Sequence, residues 1–373
     1  MHETSARAGR LTGASTVAAA VALLLAVPGV TRAQSNSDRD RDMAIDATRR
    51  EAVVAGAARE LETGYFDPAV GRRMADGIRE RARRGEYARL TSAVALADSL
   101  TTHLRLVSHD KHVGVDYSAD VIPPPGAGET ASPELIAARR RSAALHNHGL
   151  TRVERLDGNV GYLKVDGFYD PADGGETVAA AMAFVANTDA LVIDLRDNHG
   201  GRPTMVALLA TYLFAGDPVH LNDIWVREGN RTTQSYTLPY VPGRRYADKP
   251  VFVLTSAETI SAGEEFANDL KVLKRATIVG ETTAGGANPG GVARIDDHFG
   301  VFVPRGRAIN PVTKGNWEGT GVTPDIAVPA ARALVTAHRR ALEQIRASSP
   351  DPMLARDVGR ALSALGETGR TAP

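Results

Sequence analysis

The chain has 373 residues, with 44 basic and 44 acidic side chains and no cysteine. Its zero formal net charge lacks the basic excess of a nucleic-acid-binding protein, so a nucleic-acid partner is not expected. The absence of cysteine excludes disulfides and thiolate metal ligands. A chain of this length can bury a sizeable core, and one large domain with a smaller one is expected.

Residues 1–33 have the features of a secretory signal peptide. Two arginines precede an apolar run over 17–30, and Ala33 ends a small-residue cleavage site. The run contains Pro28 and is shorter than the roughly 20 apolar residues that span a bilayer. We expect cleavage after Ala33 and a periplasmic or secreted protein of a bacterial envelope. A retained N-terminal anchor is the alternative, and it is the only membrane association expected.

Apolar spacing predicts an N-terminal helical domain over residues 43–117. Its helices are predicted over 43–63, 68–84 and 91–107, and an alternating strand over 111–117 ends it. The polar, aperiodic residues 34–42 before it predict a disordered leader. The Pro-rich segment 118–149 after it predicts a linker and a helix.

From residue 150 onward, strands and helices alternate, which predicts an α/β core over 150–330. Unbroken apolar runs at 190–193 and 251–254 favour strands that are covered on both faces. The other predicted strands are 159–166, 219–227, 231–237, 292–296 and 299–303, and the predicted helices are 174–187, 203–215, 262–270, 329–347 and 352–365. The last two helices form a C-terminal segment over 331–373.

Ser261 lies where the buried strand 251–254 leads into a helix that begins at Ala262. A strand-to-helix turn lifts a side chain out of the sheet, and the helix N-terminus supplies unpaired N–H groups and positive dipole where an oxyanion forms. Ser261 and Glu264 also form a capping box, a pattern that opens ordinary helices. This segment alone leaves a nucleophile and a helix cap both open.

The strand 190–195 ends in a glycine turn, Gly200-Gly201, which precedes a helix. Glycines let a backbone amide approach a ligand without an intervening side chain, so an oxyanion donor is a reasonable interpretation. A structural turn held by Asp194 and Arg196 is the alternative. The turn lacks the lysine of a phosphate-binding loop and the spacing of a dinucleotide site.

A serine nucleophile needs a base, and His112 is the candidate because it lies at the edge between a helix and a strand. Glu318 is a candidate to orient that histidine, although a lone glutamate is unremarkable. His146 and His148 suggest a metal pair, but no third ligand accompanies them. We therefore expect no metal and no cofactor.

Five ordered segments resemble the C-terminal-processing, or tail-specific, serine peptidase family. They are Asn159–Leu163, Leu191–Gly201, Thr255–Ala267, Ala276–Gly286 and Gly321–Ile326. The helical region 43–107 also resembles the N-terminal domain of the branch that includes the repeats of interphotoreceptor retinoid-binding protein. The resemblance implies a crotonase-like, ClpP-like ββα core with a small N-terminal helical domain.

The resemblance also implies site roles. Ser261 matches the nucleophile, and the amides of Ala262 and of Gly200 or Gly201 match the oxyanion hole. Gly286 stands where the best-known branch has its lysine base, so a serine–lysine dyad is not expected. His112 and Glu318 match the histidine and glutamate of the tricorn protease branch.

Two departures from the family pattern limit the comparison. Lys111 precedes the histidine where tricorn has a serine, and segment 118–149 is too short for the family's peptide-binding PDZ domain. The expected function is an exported serine peptidase that cleaves peptides or unfolded segments by a Ser/His/Glu acyl-enzyme mechanism. A non-catalytic carrier of apolar ligands is the main alternative, and a crotonase-like acyl-thioester enzyme is disfavoured by the export sequence. The sequence predicts no oligomeric state.

Overall fold

The computed structural model describes residues 39–122, 124 and 133–368. The expected signal peptide, residues 34–38 of the expected leader and most of the Pro-rich linker lie outside the described residues. Within the leader, Asp42 accepts a hydrogen bond from the Val94 amide at 3.0 Å. Contacts with the helical region thus begin before residue 43. No described helix is both long and apolar enough to cross a membrane.

The architecture is mixed α/β. The described helices are α1 (Ala47–Gly64), α2 (Pro68–Arg83), α3 (Ala93–Ser108), α4 (Pro133–Leu145), α5 (Pro171–Val185), α6 (Pro203–Thr211), α7 (Ala262–Val272), α8 (Ala330–Ser348) and α9 (Pro352–Thr368). The strands are β1 (Gly114–Tyr117), β2 (Leu150–Leu156), β3 (Val160–Val165), β4 (Ala190–Asp194), β5 (His220–Val226), β6 (Arg231–Tyr236), β7 (Val251–Thr255), β8 (Thr277–Gly280), β9 (Gly290–Arg294), β10 (Phe299–Pro304), β11 (Gly306–Ile309) and β12 (Ile326–Ala327).

A six-stranded sheet of order β12-β8-β7-β4-β3-β2 forms the centre of the molecule. Its strands are parallel except β2, which pairs antiparallel with β3 at one edge. Every residue of β4 and β7 is buried, because α5, α6 and α7 cover one face of the sheet while α8 and α9 cover the other. The prediction of two-sided burial from the apolar runs is therefore confirmed. The carboxyl ends of β4, β7 and β8 lie side by side at one edge.

Helices α1, α2 and α3 pack against a small antiparallel sheet of order β1-β10-β9. Their core includes Phe299, Val301 and Val303 of β10, which come from the other half of the chain. Thus the helical region and the β10 strand share one core. The turn between α3 and β1 contains His112, whose ring packs against Phe302 of β10.

Several element boundaries differ from the sequence expectations for local reasons. Helix α5 begins at Pro171 rather than at 174, because Asp170 caps it by accepting a hydrogen bond from the Ala172 amide at 2.9 Å. Strand β1 begins at Gly114 rather than at 111, since His109 ends α3 in the left-handed conformation, with φ 56°. The sequence patterns miss β2, β8 and β11, which are short or carry many polar residues.

Helix α7 buries two acidic side chains one turn apart, Glu265 and Asp269. Burial raises the pKa of Glu265 to about 7 and raises that of Asp269 well above its usual range, and the charge of Glu265 adds to the shift at Asp269. Two asparagines lie beside this pair: Asn222 in β5 and Asn310 directly after β11, the strand that pairs with β5. The first two turns of α7, which follow Ser261, therefore contain two buried carboxyls whose ionisation is unfavourable.

Candidate active site

Ser261 occupies the sharp turn between β7 and α7. Its backbone has φ 58° and ψ −122°, a conformation that a residue with a side chain rarely adopts. Such strain costs on the order of 1–3 kcal/mol and persists only where the surroundings impose it. The turn is closed by hydrogen bonds from the Gly263 amide to the Ile260 carbonyl and from the Glu265 amide to the Ser261 carbonyl, at 3.0 and 2.9 Å.

The predicted capping box is present, and its acid does more than cap the helix. Glu264 Oε2 accepts hydrogen bonds from the amides of Ser261 and Gly286, at 3.0 and 2.8 Å. Its Oε1 accepts from the Gly285 amide at 2.6 Å and from the Thr283 hydroxyl. Burial raises the pKa of Glu264 to about 7 against these donors. One buried carboxyl therefore ties the serine turn to the 283–286 loop.

Gly200 lies directly against the serine. A Cβ placed on Gly200 would be 2.7 Å from Ser261 Cβ, 3.1 Å from its Oγ and 3.2 Å from the Ala262 amide nitrogen. Gly200 also has φ +89°, which favours glycine. Both the close approach and the backbone conformation therefore require a glycine here. The sequence-predicted glycine turn, the serine and Ala262 are thus brought together.

The two glycine amides differ in their hydrogen bonding. The Gly200 N–H donates to Asn198 Oδ1 at 2.8 Å, and Asn198 Nδ2 donates to the Val165 carbonyl at 2.8 Å. Among the described residues, the Gly201 N–H has no such acceptor. The Ala262 N–H belongs to the first residue of α7, where no intrahelical acceptor exists. The free donors at this turn are therefore the amides of Gly201 and Ala262.

His112 is buried, with 4 % of its surface exposed, and its ring stacks on Phe302 with centroids 5.6 Å apart. A Cβ placed on Gly286 would lie 2.9 Å from His112 Cε1 and 3.1 Å from Ile260 Cγ1. The imidazole therefore lies beside Gly286 and close to the residue that precedes Ser261. Burial lowers the pKa of His112, Asp110 opposes this shift, and Arg105 adds to it.

Glu318 approaches the same histidine. One ring nitrogen of His112 and one carboxylate oxygen each of Glu318 and Asp110 lie within 4.8 Å of one another. Glu318 Oε1 accepts a hydrogen bond from the Lys111 amide at 3.1 Å. Its Oε2 accepts from the amides of Ala287 and Asn288, at 2.6 and 3.1 Å. Burial, aided by the charge of Asp110, raises the pKa of Glu318 to about 7.

Sequence reasoning missed Asp110. Its Oδ1 accepts a hydrogen bond from the His112 amide at 2.9 Å, and its Oδ2 accepts from Tyr65 Oη and Asn288 Nδ2 at 3.0 and 2.9 Å. The only local indication in the sequence is an aspartate two residues before the histidine, which is also the pattern of an ordinary Asx turn. Its other two partners come from distant segments.

The arrangement of hydrogen bonds at these carboxylates fits anchoring better than metal binding. Asp110 and Glu318 each accept three hydrogen bonds from protein donors, so few lone pairs are free for a cation. His112 Nδ1 is buried without a hydrogen-bond partner. His146 lies elsewhere, with its Nδ1 2.8 Å from the Ser142 carbonyl. His148 packs edge-on to Tyr169.

Comparison with known proteins places most of these residues in one family segment. Residues 159–328 match the model of Peptidase family S41. This segment is S41-like. It includes Ser261, Ala262, both turn glycines and Glu318, whereas His112 precedes it. The resemblance predicted from the five sequence segments is confirmed.

Curated relatives of the chain include processing peptidases. The chain is 31% identical over 172 residues to carboxyl-terminal-processing peptidase 2, chloroplastic, of Arabidopsis thaliana, covering 46% of this chain and 32% of the relative. It is 30% identical over 155 residues to the carboxyl-terminal-processing protease of Synechocystis sp., covering 39% and 32%. The chain thus spans about a third of the length of these relatives.

Solved structures share the fold over a larger part of the chain. A lipoprotein from Streptococcus agalactiae is similar with a TM-score of 0.51 and 15% identity, covering 79% of this chain and 97% of that one. A putative peptidase from Parabacteroides merdae has a TM-score of 0.50 and 21% identity, covering 75% and 90%. At these identities the similarity concerns the fold alone.

Proposed function

We propose that the protein is an exported serine peptidase that hydrolyses peptide bonds in peptides or unfolded protein segments. The observation that carries this proposal is the contact between Gly200 and Ser261 at the start of α7, within the S41 segment. Ser261 also has a strained backbone, and the free amide of Ala262 lies at the same contact. Export is expected from residues 1–33, and the crotonase-like description of the core belongs to the same proposal.

In the proposed acylation step, Ser261 Oγ attacks the substrate carbonyl carbon while His112 takes the hydroxyl proton. The carbonyl oxygen becomes the oxyanion and accepts hydrogen bonds from the Ala262 and Gly201 amides. We choose Gly201 over Gly200 because the Gly200 N–H already donates to Asn198. Each donor of this kind typically contributes about 3 kcal/mol to transition-state stabilisation.

Collapse of the tetrahedral intermediate breaks the peptide C–N bond. The proton held by His112 passes to the leaving amine, which departs with the C-terminal product. Water then attacks the acyl-enzyme with His112 again as the base, and this releases the acid product and restores Ser261. No cofactor is needed in this sequence.

His112 suits the role of base for two structural reasons. Its lowered pKa favours the neutral imidazole, which is the form that accepts a proton. Its ring also lies beside Gly286, the position of the lysine base in the related branch. In this proposal a histidine from the α3–β1 turn takes the role that a lysine of the 280–286 loop has in the related branch.

Glu318 is proposed to orient His112 and to stabilise the imidazolium that forms during the reaction. The two groups are close, but Nδ1 of His112 makes no hydrogen bond. Catalytic hydrogen bonds are often long before substrate binds and shorten in the reacting complex. The raised pKa of Glu318 means that this role requires a pH near or above 7.

Labelling with a fluorophosphonate probe tests the proposal, because only an activated serine reacts. We expect the purified protein to gain the mass of one phosphonyl group on the peptide that contains Ser261. Ser261→Ala is the matched control and should not be labelled. A wild-type protein that stays unlabelled and instead binds retinoids or fatty acids would support the carrier alternative.

A further inference from the structure

The Asp110 carboxyl connects the helical region to the proposed base. It is 1 % exposed and accepts hydrogen bonds from three separate segments. The His112 amide belongs to the α3–β1 turn, Tyr65 Oη to the junction between α1 and α2, and Asn288 Nδ2 to the loop before β9. These three partners fix the position of Asp110, and Asp110 in turn fixes the backbone at His112.

We propose that Asp110 and Tyr65 are positioning residues through which the helical region holds His112 in its working position. This inference rests on the proposed function and extends it to two residues outside the S41 segment. Asp110 acts on the histidine in two ways. Its hydrogen bond to the His112 amide sets the turn, and its negative charge lies next to the imidazole, within the 4.8 Å group that also contains Glu318.

Tyr65 supplies the link to the helices. It is almost completely buried in the core that α1, α2 and α3 share with β10. Its carbonyl also accepts a hydrogen bond from Arg227 at 2.8 Å, so the main chain of Tyr65 is held as well as its hydroxyl. A phenol fixed in this manner can donate to Asp110 with little loss of side-chain freedom, because its core packing already fixes the ring.

The charged and titratable neighbours of His112 determine what should be measured. Asp110 raises the pKa of His112, whereas burial and Arg105 of α3 lower it. Asp110 also raises the pKa of Glu318, which faces the histidine from the loop after β11. Two further donors act on these carboxyls: Tyr65 Oη donates to Asp110, and the Lys111 amide donates to Glu318. Removing the charge of Asp110 should therefore lower the pKa of both His112 and Glu318.

Two variants isolate the proposed roles. Tyr65→Phe removes one hydroxyl and keeps the buried ring, whereas Asp110→Asn keeps the side-chain size but removes the charge and replaces one accepting oxygen with a donating NH2 group. Tyr87→Phe is the matched control, since Tyr87 is another buried tyrosine of the same core and its hydroxyl lies 2.8 Å from His103 Nδ1, away from the proposed site. Each variant loses a hydrogen bond or a charge. A general loss of stability would therefore lower kcat/KM in all three proteins, whereas a specific effect on His112 would appear only in Tyr65→Phe and Asp110→Asn.

The test combines peptide hydrolysis with NMR titration of the His112 ring in each protein. We expect kcat/KM to fall about tenfold or more in Tyr65→Phe and Asp110→Asn, chiefly through kcat, and to stay within about twofold of wild type in Tyr87→Phe. In Asp110→Asn the His112 titration midpoint should move to lower pH, because a neighbouring negative charge is gone. An unchanged midpoint in Asp110→Asn, together with equal kcat/KM values for Tyr65→Phe and Tyr87→Phe, would overturn the inference. The NMR titration needs no activity, so it tests Asp110 even if the protein proves not to be a peptidase.

Discussion

His112 fills the space in which a side chain at Gly286 would begin, with its Cε1 2.9 Å from the position that a Cβ would take. The relation explains two features of the sequence together. The chain lacks the lysine of the related branch at position 286, and it has a buried histidine whose ring enters from another segment. A side chain at position 286 would therefore collide with the His112 ring.

Gly286→Ala tests this relation. The added methyl group would press on both His112 and Ile260, so the imidazole ring must shift from its present position. We expect kcat/KM to fall about tenfold or more, with a loss of about 1–3 kcal/mol in the free energy of unfolding measured by urea denaturation.

Gly315→Ala is the control for this change, because a Cβ there meets no atom within 4 Å. It should change neither the free energy of unfolding nor the activation free energy derived from kcat/KM by more than about 0.5 kcal/mol. A Gly286→Ala protein as active as Gly315→Ala would show that the His112 position does not matter for hydrolysis.

The pH dependence of hydrolysis should report Glu318. Its folded-state pKa is raised to about 7, so the carboxyl is protonated below that pH and cannot stabilise an imidazolium. Because the pKa of His112 is lowered below its usual value of about 6.5, the histidine is already neutral near pH 7. We therefore expect kcat/KM to rise as the pH increases, with a midpoint near 7.

Glu318→Gln should remove that rise and lower kcat/KM about 100-fold or more, as expected when the group that orients a catalytic histidine is lost. Glu343→Gln, on the exposed side of α8, serves as the charge-matched control and should keep the wild-type profile. If Glu318→Gln retained the same midpoint near pH 7, another group would have to be responsible for it.

Stability should show the opposite trend with pH, since the buried carboxyls of α7 have raised pKa values. A raised folded-state pKa means that the folded protein binds more protons than the unfolded chain between the two pKa values. The contribution of Glu265 to stability is therefore fully present below about pH 4, the unfolded value, and is lost as the pH rises through about 7. Asp269 contributes in the same direction.

Asp269→Asn removes one of these buried charges and keeps the side-chain shape. We expect Tm measured by differential scanning fluorimetry to fall less between pH 5 and pH 8 than in wild type, with a gain of about 1–3 kcal/mol at pH 8. Asp357→Asn on the surface of α9 is the control. A steeper fall of Tm in Asp269→Asn than in wild type would contradict the buried-charge explanation.

The local parts of this site can be predicted from the sequence, because each depends on residues that are neighbours along the chain. The strand-to-helix turn at Ser261 follows from an apolar run next to a capping box, and the Gly200 turn follows from two glycines after a buried strand. The apolar runs likewise predict the two central strands. In each case a short window contains the physical cause.

The remaining parts depend on contacts between distant segments, which no window contains. Asp110 gains its importance from Tyr65 and Asn288, and Glu264 gains its importance from the amides of the 283–286 loop. The position of His112 depends on β10, which is assembled with α1 to α3 only in the folded protein. A capping acid and an Asx turn are common locally, so their further roles require the structure.

The central claim is that Ser261 performs the reaction, and the most direct measurement is hydrolysis of an unfolded protein substrate by wild type and by Ser261→Ala. We predict that the variant keeps the circular dichroism spectrum and cooperative unfolding of wild type, with at most the small fall in Tm expected from a lost helix cap, but loses at least about 1000-fold in kcat. A correctly folded Ser261→Ala protein that cleaves the same substrate at the wild-type rate would contradict the account.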